Sequence, residues 1–61
     1  MLEFSKKILR KVSFDKVLFK KELFKSIGWL NKKEVLKLKI WALITFSQYK
    51  ITILEVFDQV S

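Results

Sequence analysis

A chain with no proline and a single glycine, Gly28, has almost no means of making the tight hairpins that a sheet requires. What remains open to it is a few helices joined by short corners, each marked by a capping side chain. The best-marked corner opens residues 31–46, NKKEVLKLKIWALITF. Asn31 is a favoured N-cap, and Glu34, three positions on, is placed to return its carboxylate to the Asn31 backbone N–H and to face the positive helix end. Leu30 and Val35 flank the cap as a hydrophobic staple. At about 100° per residue, one stripe of this helix gathers Val35, Leu38, Ala42, Phe46 and Tyr49 with Trp41 at its edge, and a second gathers Leu36, Ile40, Leu43 and Ile44. A helix apolar on two sides has to be covered on both, with Lys37 and Lys39 at the seams burying their stems and keeping their ammonium groups in water. The segment LKLKI alternates like a strand, but the run IWALITF that follows does not, and a helix cap has no role in a strand. The expected fold class is therefore all-α: one small domain over residues 1–61, a bundle of three to four short helices around a central apolar helix at about residues 32–46.

The rest of the chain supplies the partners of that helix. Residues 1–12, wound as a helix, place Met1, Phe4, Ile8, Leu9 and Val12 on one side with Leu2 at the edge, and Lys6, Lys7, Arg10 and Lys11 on the other. Asp15 can cap a second helix with Phe14 and Phe19 as staple, and Ser13 can do the same two residues earlier with Val12 and Val17. Over residues 16–27 the side chains of Val17, Phe19, Leu23, Phe24 and Ile27 converge on one arc, with Lys20 intruding. Lys21, Glu22, Lys25 and Ser26 lie opposite, and Leu18 is stranded among them. Gly28 then suits a helix C-cap in the left-handed conformation.

A helix, a glycine turn and a second helix invite comparison with the DNA-binding helix-turn-helix. With Gly28 as the turn glycine, however, bulky Phe24 falls where close helix approach needs a small residue, and Glu34 and Lys37 fall where apolar residues are needed, with Val35 and Leu38 one place too late. A plain helical hairpin accounts for the same residues. Residues 51–60 set Ile53, Leu54, Val56, Phe57 and Val60 against Thr52, Glu55, Asp58 and Gln59, with Ser47 placed to cap this last helix and Phe46 and Ile51 as its staple. The spacing also fits one unbroken helix from Lys32 to about Gln59. A break at residues 47–50 is favoured, because a separate last helix can fold back over the stripe of Leu36, Ile40, Leu43 and Ile44.

The residue types exclude most chemistry. Without cysteine or histidine, disulfides, thiol chemistry and the usual zinc or imidazole sites have nothing to be built from. A carboxylate enzyme needs two acids in a shared pocket with separated pKa values. Of Glu3, Asp15, Glu22, Glu34, Glu55 and Asp58, two are taken by caps, and Glu55 and Asp58 are spaced as ordinary neighbours on a helix surface. There is no glycine-rich phosphate cradle and no nucleophile beside a base. The expectation is a non-enzymatic chain with no catalytic residue, no metal ligand and no cofactor.

Charge and apolar surface are the remaining functional signals. Residues 1–39 carry twelve basic and four acidic residues, net +8, whereas residues 40–61 are net −1. The candidate anion-binding surface is Lys6, Lys7, Arg10, Lys11, Lys21 and Lys25. Twelve of the thirteen basic residues are lysine, which contacts phosphate as a point charge and lacks the planar fork with which arginine reads guanine. Nonspecific nucleic-acid binding and docking on an anionic membrane surface are therefore admitted, and sequence-specific DNA reading is disfavoured. The candidate apolar interaction stripe is Leu36, Ile40, Leu43 and Ile44, pointing first to a protein partner or a homo-oligomer. A chain this short buries only about 60% of its unfolded surface, so covering that stripe with another chain would help it. The longest charge-free run is ten residues, 40–49, against roughly 20 for a membrane span, and Glu3, Lys6, Lys7, Arg10 and Lys11 interrupt any apolar signal-peptide core. No transmembrane segment and a cytoplasmic location are the corresponding expectations.

Overall fold

The computed structural model describes residues 2–60, the side chain of Val60 excepted. Met1 and the Val60 side chain, both assigned to apolar stripes above, lie outside the described residues. The fold is an all-α bundle of four helices: α1 (Leu2–Val12), α2 (Lys16–Ile27), α3 (Lys32–Thr45) and α4 (Lys50–Val60), with a 3₁₀ turn at Ser47–Tyr49 between the last two.

The starts of α2 and α3 have local causes. Asp15, in an extended conformation, accepts from the backbone N–H of Val17 at 2.9 Å and of Leu18 at 3.3 Å and so caps α2. The alternative cap, Ser13, instead donates its hydroxyl to the Arg10 carbonyl at 2.9 Å and closes the end of α1. The capping box of α3 is complete: the Asn31 side chain accepts from the Glu34 N–H at 2.9 Å, and the Asn31 N–H donates to Glu34 Oε1 at 3.2 Å. Replacing Asn31 with alanine is expected to cost about 1 kcal/mol, which in a domain of this size lowers the melting temperature by roughly 4–8 °C. An unchanged thermal melt would contradict that role for the box.

Two corners differ from the sequence reading. Gly28 is not left-handed: with φ −67° and ψ −19° it adds one more helical residue, and the 3₁₀-type bonds Gly28 N–H to Lys25 O and Trp29 N–H to Ser26 O tighten the end of α2. The turn is completed by the extended Asn31, so no positive φ is needed. Ser47 does not cap α4; it opens a 3₁₀ turn with no side-chain cap, entered at Phe46 with φ −118° and ψ 53°. Phe46 breaks the helix because its ring is drawn into the core, edge-on to Phe19 at 4.9 Å and to Trp41 at 5.4 Å.

The core is Leu9, Phe19, Leu23, Leu38, Ala42, Phe46, Ile53, Val56 and Phe57, with Leu2, Val12, Ile27, Leu30, Val35, Trp41, Leu43 and Tyr49 packed against it. The first stripe of α3 is thus the buried one. A latch ties the two halves of the chain: Tyr49 Oη donates to the Ser13 carbonyl at 2.6 Å, and its ring lies 5.0 Å from that of Phe19. Two small polar residues are buried as well, Ser5 on α1 and Ser26 on α2. Ser26, assigned above to the polar side, is buried. Among the described residues no single helix is long and apolar enough to cross a membrane; α3 and residues 47–59 reach that length only as a pair bent by 107°.

Candidate functional site

The apolar stripe of α3 is split by the fold. Leu43 is drawn in against the core, but Leu36, Ile40 and Ile44 stay 58%, 54% and 75% exposed. The last helix does not cover them. After the 107° bend, α4 sends Ile53, Val56 and Phe57 to the side of α3 that carries Leu38 and Ala42. The open ridge is extended by α4, since Leu36 and Phe57 line one groove, Phe57, Ile51 and Leu54 line the next, and Lys39 borders both. Lys39 holds its ammonium 5.9 Å from the Phe57 ring centre, a seam position as its sequence context implies. Lys37, placed at the other seam by the sequence, is instead fully on the exposed side.

The six basic candidates do not act as one set. Lys6 and Arg10, one turn apart on α1, both lie over the Trp41 ring at 5.5 Å, and Lys6 also pairs with Glu3 at 3.4 Å. Their charge is partly committed to holding α1 on α3. Lys7 and Lys11 point outward on the same helix, and Lys21 and Lys25 are exposed on α2, with Lys25 5.7 Å from the Trp29 ring. Charge reversal therefore separates the two pairs. Lys6→Glu with Arg10→Glu is expected to cost about 1–2 kcal/mol, the loss of two cation–π contacts, whereas Lys7→Glu with Lys11→Glu stays within about 0.5 kcal/mol. The two variants carry the same net charge, so equal denaturation midpoints would rule out a structural part for Trp41.

Val17 and Phe24, read from the sequence as core, are 74% and 46% exposed, and Phe14 stands out at the corner before them. The α2 core axis runs through Phe19, Leu23 and Ser26. Adjacent apolar pairs such as Leu18–Phe19 and Leu23–Phe24 diverge by about 100°, so one member of each must leave the core. The signal for which member lay in Ser26, three residues after Leu23, a position that averaging by hydrophobicity discards. The same shift occurs in α1, where Leu2, Ser5, Leu9 and Val12 face inward and Phe4 is exposed. On α4, Thr52 is buried and Leu54 is partly exposed, the reverse of their assigned sides. Comparison of this chain with protein-family models, with curated proteins and with solved structures finds no match.

Proposed function

We propose that this chain is a non-enzymatic interaction module whose working surface is the open ridge of α3, Leu36, Ile40 and Ile44, taken up by the apolar face of a protein partner or of a second copy. The observation that supports the reading is the exposure of all three side chains, with none of the four helices of the described residues laid over them. Together they expose the equivalent of nearly two whole side chains, so covering them contributes about 3–6 kcal/mol. Association itself costs about 4–15 kcal/mol, so the ridge alone gives weak pairing and a tight complex must also use Ile51 and Leu54. Two copies each carrying net +7 also repel, which makes self-association weaker at low salt and favours a less basic partner.

A photo-crosslinking residue at position 40 tests this inside the producing cell. The expected result is a discrete crosslinked species, self or partner, that disappears when Ile44→Asp is added and is not formed from a probe at Gln48. Sedimentation that finds only monomer at every salt concentration, together with no crosslink above the Gln48 control, would overturn the reading.

A further inference from the structure

The outward side of α2 differs in chemistry from the ridge of α3. Centred on Lys21, it carries Val17, Leu18, Phe24 and Lys25 within roughly 60° on either side, by the helical repeat. Val17, Lys20, Lys21, Phe24 and Lys25 line one shallow depression, which places them side by side. Exposed Phe14 precedes this face and exposed Trp29 follows it. No acid lies on it: Glu22 is turned to the flank and half-buried, Asp15 is engaged with backbone N–H groups, and Glu55 of α4 reaches only its edge, 3.9 Å from Lys20.

We infer that this face of α2, flanked by Phe14 and Trp29, docks on an anionic membrane surface. Large apolar side chains interleaved with lysines match a bilayer interface, where the apolar groups enter the acyl boundary while lysine stems lie along it and ammonium groups reach the headgroups. Trp29 beside Lys25 is the aromatic type that prefers that depth. A protein partner fits less well, because lysine is depleted from the cores of protein interfaces. Duplex DNA fits less well too, since phosphate contacts gain nothing from exposed Val17 and Phe24. The site is separate from the α3 ridge and stands whether or not that ridge binds anything.

Co-sedimentation of the intact chain with phosphatidylcholine vesicles, with and without phosphatidylglycerol, tests the inference. Binding is expected only to the anionic vesicles. Each lysine near such a surface strengthens binding roughly fivefold, so Lys21→Gln with Lys25→Gln weakens it roughly 25-fold. Phe24→Ser with Val17→Ser, which leave the charge intact, are expected to weaken it about tenfold or more, while Ile44→Ser leaves it unchanged. Circular dichroism establishes that each variant is folded, and the Trp29 emission, read in a Trp41→Phe background, shifts to the blue on binding. Binding that survives Phe24→Ser and Val17→Ser but needs the lysines, and that duplex DNA matches, would make this a polyanion surface and overturn the inference. Absence of vesicle binding by the folded chain, or its loss with Ile44→Ser, would overturn it as well.

Discussion

Phe19→Ala is expected to leave the chain largely unfolded at 37 °C. Phe19 is fully buried and is the hub of the aromatic cluster, edge-on to Phe46 at 4.9 Å and tilted against Tyr49 at 5.0 Å, so it joins α2 to the turn between α3 and α4. Truncating a buried phenylalanine costs about 3–5 kcal/mol through lost transfer energy and the cavity left behind. A domain of this length holds only about 3–9 kcal/mol in total. The substitution thus removes much of the stability or all of it. Phe14→Ala, in the corner before α2 and exposed, should change stability by less than about 0.5 kcal/mol. A cooperative melt for Phe19→Ala within a few degrees of the parent chain would mean that the core is not organised around this ring.

The second large effect is expected at Tyr49, where two contributions can be separated. Tyr49→Phe keeps the ring but removes the donor to the Ser13 carbonyl, leaving a partly buried acceptor without its 2.6 Å bond, at a cost of about 1–2 kcal/mol. Tyr49→Ala also removes the ring from Phe19, and the total rises to about 3–4 kcal/mol. Hydrogen exchange adds a local readout: with the latch gone, the amides around the Ser13 corner should exchange faster than those in the middle of α3. If Tyr49→Phe is as stable as the parent chain, the corner between α1 and α2 is held by packing alone.

The exposed ridge of α3 and the basic, apolar outer face of α2 make opposite demands on an experiment. Binding at the ridge, as proposed, is expected to be lost with Ile40 or Ile44 and to strengthen with salt, whereas the proposed docking of the α2 face is expected to be lost with Lys21 and Lys25 and to weaken with salt.

Caps and the inward stripe of the central helix were legible in the sequence because they are local. A capping box needs only Asn31 and Glu34 at fixed spacing, and Asp15 reaches two N–H groups within its own turn. Val35, Leu38, Ala42 and Phe46 lie on one stripe whatever packs on it, and the absence of proline with a single glycine already favoured helices over a sheet. Which of two adjacent apolar residues turns inward was not local. The sequence arc of α2 held both Leu23 and Phe24, and Leu23 rather than Phe24 faces the core because α1 and α4 both pack on α2, an arrangement that belongs to three helices together. The 107° bend is tertiary for the same reason: Phe46 leaves helical geometry to seat its ring against Phe19, twenty-seven residues away. That bend sends α4 to the side of Leu38 and leaves Leu36, Ile40 and Ile44 in water. Sequence periodicity therefore determined that the central helix has two apolar faces, and only the tertiary structure decided which of them the chain itself could cover, because one short last helix can lie against one face and not both.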